Sequence, residues 1–246
     1  MKADTWCLNG VLMLMRKEKQ NCVPSVLVLI AALDEEDGIQ RTLAELKHFL
    51  PGSKLLVVDG NSTDGTVHVA KSQGADVVFQ KGKGKGNAIS CGLESVDSDF
   101  DYVIFTDADY TYPAEYIPQM IEFLEANPKI GMVCGNRFNS HFDVGAMHEP
   151  FYFGNRLIAL VHNLLNGVEL HDPLTGLRVM RWDILKNWKP KSAGFDIEVE
   201  LNHHVERWGY RIAEIEISYR ERIGKKKLKI RHGVTIIRRI LSEAVH

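Results

Sequence analysis

Three apolar runs that each deliver an acid constrain this chain more than any other feature. "VLVLIAAL" leads into Asp34 and Glu35, "KLLVVD" ends on Asp59, and "YVIFTD" ends on Asp107. Unbroken apolar runs of this length read as strands buried on both faces. Between them, Ile39, Leu43, Leu46 and Leu50 mark the stripe of a helix that Pro51-Gly52 ends. Tyr116, Ile117, Met120, Ile121 and Leu124 mark another, with Pro113 near its start. "NSTDGT" is a turn-rich linker into a helix, and "ADVVFQ" is a further short strand. Strands alternating with helices in this way predict an α/β fold with a mostly parallel sheet and right-handed crossovers. Ligands of such sheets bind at the carboxyl ends of the strands, where Glu35, Asp59 and Asp107 fall. Asp34 and Asp64 read more simply as helix caps.

The 246 residues suit one domain or one domain with an appendage, and 45% hydrophobic against 25% charged residues suffices for a proper core. The expected division is an N-terminal extension over 1–23, a catalytic domain over 24–222, and a basic linker with an amphipathic helix over 223–246. A formal net charge of -2 gives no sign of a nucleic-acid partner. Cys7, Cys22, Cys91 and Cys134 lie far apart, so neither a disulfide framework nor a zinc site is expected, and a cytoplasmic setting is the simplest. No apolar run reaches the roughly 18–20 residues that span a bilayer. "LIALVHNLLNGVEL" is broken by His162, Asn163, Asn166 and Glu169 and predicts a core helix. "MKADTWCLNGVLMLMRKEKQ" lacks a small-residue cleavage site and does not read as a signal peptide. A loose extension and a surface-lying anchor both fit it.

"FTDADYTYP" admits two chemistries. Asp-x-Asp-x-Thr after a strand is the nucleophile loop of haloacid-dehalogenase-type phosphatases, and Asp-x-Asp is also the metal clamp of nucleotide-sugar glycosyltransferases. The phosphatase needs the motif on its first strand and a later Gly-Asp-x-x-x-Asp. Here it sits on the fourth apparent strand, and Asp143, Asp172, Asp183 and Asp196 are isolated. "GKGKGN" has Asn87 at the third-glycine place of a dinucleotide fingerprint and lacks a phosphate-loop ending. "DGNSTDG" has Asp64 where a calcium loop needs glycine and Ala70 where it needs glutamate. Adjacent His203 and His204 point apart on any regular backbone, which favours packing over metal binding.

"AALDEEDGI", "VVDGNSTDGT", "GKGNAI", "FTDADYTYPAEYI", "GNRF" and "DPLTGLRVM" follow one another in an order that resembles the family 2 glycosyltransferases. The resemblance covers roughly Ser25 to Arg231 and is greatest to dolichol-phosphate mannosyltransferases and archaeal polyprenyl-phosphate relatives. It implies the GT-A fold, a Rossmann-like sheet flanked by helices. It also implies Glu35, Asp59 and Gly60 in the nucleotide pocket, with Lys85 in the neighbouring glycine-rich loop. Asp107 and Asp109 would hold a divalent metal, Mg2+ or Mn2+, and Arg137 would meet phosphate. Asp172 would close the site near the acceptor. "RERIGKKKL" is similar to the family's late basic motif, making Arg220, Arg222 and Lys227 candidates for the acceptor phosphate. The family commonly has proline and asparagine where this chain has Ala31 and Asp34, a second aspartate at Gly60, and glutamine at Thr111.

The implied reaction is inverting transfer of a hexose from a nucleotide sugar to dolichyl or polyprenyl phosphate, with GDP-mannose the preferred donor. The alternative acceptor is a soluble one such as 3-phosphoglycerate. A phosphate monoester has a second pKa near ~6 and is largely dianionic at neutral pH, so it needs fixed cations more than a base. In the tail, "GKKKLKIRHGVTIIRRILSEAV" joins a basic cluster to an apolar stripe of Val234, Ile237 and Leu241, with Ile236 and Ile240 beside them. Such a helix fits a peripheral place on the cytoplasmic face of a membrane, with a membrane partner subunit in reach, or docking on the protein's own core. "GFDIEVELNHHVERWGY" alternates like a strand and then takes helical spacing; the family resemblance makes it a helix.

Overall fold

The computed structural model describes residues 23–138, 149–166, 169–225, 227 and 232–244. One sheet is built from β1 (Val26–Ala32), β2 (Lys54–Asp59), β3 (Asp76–Phe79), β4 (Tyr102–Asp107), β5 (Ile130–Asn136), β6 (Arg178–Arg181) and β7 (Arg211–Glu216). Its order is β3-β2-β1-β4-β6-β5-β7, with β6 running against both its neighbours and the other pairings parallel. The helices are α1 (Glu36–Phe49), α2 (Thr66–Ser72), α3 (Lys85–Glu94), α4 (Ile117–Ala126), α5 (Glu149–Asn166), the single turn α6 (Trp182–Leu185), α7 (Ile197–Arg207) and α8 (His232–Ala244).

The central strands are apolar throughout because both faces are covered. Val28, Ile30, Val57 and Ile104 pack with Ile39 and Leu43 of α1 and Met120 and Leu124 of α4. Leu27, Leu29, Val58, Val103 and Phe105 pack on the other face with Ile89 of α3 and Ile197 and Leu201 of α7. Parallel register sets Ala32 beside Asp59 and Ala31 beside Asp107, so the acids arrive level at one edge. The chain order reverses between β1 and β4, and there a crevice opens for ligand.

One sequence expectation changes, and of the two places offered for the tail helix the structure shows docking on the domain. The segment 157–170 is not simply a core helix. Two of the polar residues that break its run are taken up within the protein: His162 is buried, and Asn163 bonds both the N–H and the C=O of Leu170. Ile158 and Ala159 are buried too, and Leu157, Leu160 and Leu164 are left 60%, 64% and 81% exposed. The tail helix α8 docks on the domain through Ile236 and Ile240, which join Ile158 and Val199, and through Arg239, 3.2 Å from Asp196. Its predicted stripe of Val234, Ile237 and Leu241 lies beside that seam and stays exposed. Of the expected extension over 1–23, residues 1–22 lie outside the described residues.

Candidate active site

The site is assembled where β4 ends. Asp107 is its last residue, and Asp109 sits in the following turn rather than on the same strand face, with Tyr110 in the left-handed region at φ 65°. Lys85, the first residue of α3, donates to Asp107 at 2.7 Å and lies 2.9 Å from Glu198 on the first turn of α7. The glycines of "GKGKGN" make this approach possible. A Cβ on Gly86 would stand 2.0 Å from the Ser192 carbonyl, and one on Gly84 2.4 Å from that of Ala193. Gly86 and Asn87 donate their N–H groups to Gly194 and Ala193. The tight backbone contact draws α3 and α7 together, so Lys85 and Glu198 meet.

Asp109 is held from two sides. Thr111 gives it a backbone N–H at 3.2 Å and a hydroxyl at 2.6 Å, which is what the threonine does in place of the family's glutamine. Arg222 donates to its other oxygen at 2.5 Å and also pairs with Glu35. Lys227 lies 3.4 Å from Glu35 and donates to the Asp34 carbonyl at 3.0 Å. The segment carrying these cations is stitched along the motif by Arg220 N–H to Thr111 O, 3.0 Å, and Ile223 N–H to Asp109 O, 3.1 Å. Arg220 turns away from Arg222. It forks onto Glu45 at 2.6 and 2.9 Å and lies over the Tyr110 ring, 4.3 Å from its centre. Arg220 and Arg222, both candidates for the acceptor phosphate, therefore point to different partners, because the chain after β7 is irregular.

Asp172 and Arg137 form a buried pair, Nε to Oδ2 at 2.6 Å and Nη2 to Oδ1 at 2.8 Å, beside the Tyr112 and Tyr219 rings. Glu214 of β7 receives the N–H groups of His171 and Asp172, both at 2.7 Å. Arg178, fully buried, donates to the carbonyls of Pro173 and Thr175 and to Asn202, fixing the same loop from below. The loop ends at Gly176, where a Cβ would stand 2.7 Å from Asp107 Oδ2. Asp59, wholly buried, is turned onto Ser62, whose N–H and hydroxyl it accepts at 2.8 and 2.5 Å, and Gly60 N–H bonds Ala32 O. Asp64 receives the N–H groups that begin both α1 and α2, a capping duty, and Asp34 bonds Thr63.

The charges follow from burial and neighbours. Burial pushes the Glu35 carboxyl up to about 7, against the pull of Arg222 and Lys227. Burial, and then the charge of Asp107, raise Asp109. Burial alone would raise Asp107, but Lys85 reverses this and holds it below the ordinary carboxylate range. Two hard carboxylates this close fit a divalent cation, which would relieve their repulsion. Among the described residues no group of three or more His, Cys, Asp or Glu is gathered to hold a metal. Glu45 and Arg178 were not legible as site residues, and Glu198 was legible only through the family resemblance, which places it with Asp196 near the acceptor side and gives neither a role. The one signal was an acid at alternate positions of the otherwise apolar "DIEVEL", which a helix turns inward. His203 is buried beside His162 while His204 stacks on Trp188, so the two histidines take different packing roles.

A GT-A sheet with an Asp-x-Asp turn at its switch point defines a glycosyltransferase. The chain belongs to glycosyl transferase family 2, whose model matches residues 27–188. It is 32% identical over 204 residues to a dolichyl-phosphate hexose transferase of Haloferax volcanii, covering 82% of this chain and 85% of that one. It is 28% identical to an undecaprenyl-phosphate mannosyltransferase of Micrococcus luteus, covering 82% of this chain and 87% of that one. Glucosyl-3-phosphoglycerate synthase of Mycobacterium tuberculosis, solved with Mn2+, UDP-glucose and phosphoglyceric acid, shares the fold at TM-score 0.72 and 22% identity, over 93% of this chain and 82% of that one.

Proposed function

We propose that this glycosyltransferase moves a hexose from a nucleotide sugar to a polyprenyl phosphate, with inversion, at the cytoplasmic face of a membrane. The observation that carries the reading is the ring of cations around the acid pair: Lys85 at Asp107, Arg222 at Asp109, and Lys227 behind them at Glu35. Such a ring suits a reaction that brings two phosphates together. The names of the two curated relatives support the lipid acceptor. Nothing in the comparisons supports a separate membrane partner subunit.

Asp107 and Asp109 would hold Mg2+ or Mn2+, which supplies charge neutralisation on the donor diphosphate. Glu35, Asp59 and Gly60 border the nucleotide, with Lys85 beside the diphosphate. Arg222 and Lys227 take the acceptor phosphate, and Arg220 anchors their segment through Glu45. An acceptor oxygen bonds to the anomeric carbon as the bond from that carbon to the diphosphate breaks. The nucleoside diphosphate leaves with the electron pair. The dianionic acceptor brings no proton to remove, so no protein base is required. Arg137 and Asp172 keep the acceptor side of the crevice in shape. Residues 24–222 form the catalytic domain in this account, and 223–246 the basic linker and tail helix.

The donor is tested by titrating the protein with GDP-mannose, UDP-glucose and UDP-N-acetylglucosamine in the presence of Mn2+. GDP-mannose is expected to bind most tightly. Equal indifference to all three would contradict the reading.

A further inference from the structure

Three buried acids lie at the start of α7, and they divide between two tasks. Glu198 meets Lys85 at 2.9 Å. Asp196 and Glu200 turn instead to the loop 191–194. Glu200 accepts the N–H groups of Lys191 and Ser192 at 2.7 and 2.6 Å, and Asp196 accepts that of Gly194 at 3.3 Å. A buried carboxylate is costly unless it is bonded, and both oxygens of Glu200 are used on this loop. Arg239 of α8 offsets the two charges, 3.2 Å from Asp196 and 3.9 Å from Glu200.

The loop held in this way is the one on which the glycine-rich segment rests. The carbonyls of Gly194 and Ala193 accept the N–H groups of Gly86 and Asn87, both at 3.1 Å. These are two of the donors that the first turn of α3 leaves without a helical partner. Lys85 is the neighbour of Gly86 and lies between the two glycines whose bare Cα atoms let the backbones touch, so a shift of the loop carries the lysine with it. α7 itself is fixed, because Ile197, Leu201 and Val205 are buried in the core against the sheet. The place of Lys85 is thus tied to the core by a short chain of bonds. Glu200 holds Lys191 and Ser192, and the next two carbonyls hold Gly86 and Asn87. A cation that must meet a phosphate is sensitive to displacements of about an ångström, even when their cause lies away from the chemistry.

We propose that Glu200 is a positioning residue for donor binding: its bonds go to the loop 191–194, and through that loop it sets the place of Lys85. This role rests on the reading that Lys85 serves the donor diphosphate, and the test separates the two. Wild type, K85A, E200Q and K85A/E200Q are titrated with GDP and with UDP in the presence of Mn2+, and hydrogen exchange of the Gly86 and Asn87 amides is followed in wild type and E200Q. E200Q keeps the shape but turns an amide nitrogen toward one of the two N–H groups. Its affinity for the preferred nucleotide should fall roughly tenfold, with faster exchange at Gly86 and Asn87 and an acceptor KM near the wild-type value. In the K85A background the same change should cost less than about twofold, because the lysine it would misplace is already gone. A loss that adds in full to that of K85A overturns the proposal. So does an E200Q protein that binds as wild type does while K85A is weakened, or one whose Gly86 and Asn87 amides exchange no faster. K85A that binds as wild type refutes the role of Lys85 at the donor instead, and the role of Glu200 falls with it. Should E200Q fail to fold, E200D, which keeps the charge and draws back by one methylene, decides on the same readouts, with a loss of about threefold expected.

Discussion

Asp172 grips the Arg137 guanidinium with both carboxylate oxygens, at 2.6 and 2.8 Å, and both residues are buried. Each was expected at the site separately, and the structure makes them one unit. A buried pair of this kind is costly to break, because removing one partner strands the other's charge. Asp172→Asn should destabilise the fold by about 3–5 kcal/mol and abolish most activity. Arg137→Met with Asp172→Leu should be less destabilised than the sum of the single changes, which thermal unfolding of the four proteins measures.

Asp109 carries the second prediction. Asp109→Ala should lose activity by roughly a hundredfold or more, since a hard oxygen ligand vanishes together with the partner of Thr111 and Arg222. Mn2+ binding followed by electron paramagnetic resonance should weaken in parallel. An Asp109→Ala protein with full activity in excess chelator would contradict the metal assignment.

Glu198 carries the third. It shares Lys85 with Asp107, and its second oxygen is buried without a protein partner. Glu198→Gln keeps the shape and removes one of the two charges that hold Lys85. Donor affinity should fall by roughly tenfold, about 1.4 kcal/mol, while acceptor KM stays near the wild-type value. A change confined to acceptor KM would show that Lys85 does not serve the donor.

The fourth concerns acid stability. Burial holds the His162 imidazole down at about 4, below its usual 6.5, with His203 and Arg178 adding to the effect. The unfolded chain therefore binds a proton that the folded protein refuses between those values, so stability falls as pH drops from about 6.5 to 4. The loss from this group is on the order of 2–3 kcal/mol. His162→Gln should flatten that part of the stability curve in urea titrations across this window, whereas an unchanged slope would assign the loss to other groups.

The first four strands were legible because the central ones are covered on both faces, which forces unbroken apolar runs, and because their ends carry acids. β5 and β6 were not; in β6, four residues that include Arg178 and Arg181 give no such run. Its reversed direction has no local signature at all. Asp107 and Asp109 could be found by motif, but the partners that set their charge could not. Lys85 is 22 residues from Asp107 and Arg222 is 113 from Asp109. Such pairings follow from the register of strands and the contact of α3 with α7, which no local pattern records. The leucines of α5 were misjudged for a related reason. Polar residues usually mark the wet side of a helix, and here His162 and Asn163 are bonded within the protein instead.

The central claim is the transfer of a hexose to a lipid phosphate, and the direct measurement is where the label goes. The protein is incubated with Mn2+, sugar-labelled GDP-mannose, UDP-glucose or UDP-N-acetylglucosamine, and dolichyl phosphate together with 3-phosphoglycerate, then partitioned between organic and aqueous phases. The account predicts label in the organic phase, with GDP-mannose the best donor, lost in Asp109→Ala and strongly reduced in Arg222→Ala and Lys227→Ala. Label confined to a water-soluble glycosylated product, with none in the lipid, would contradict it.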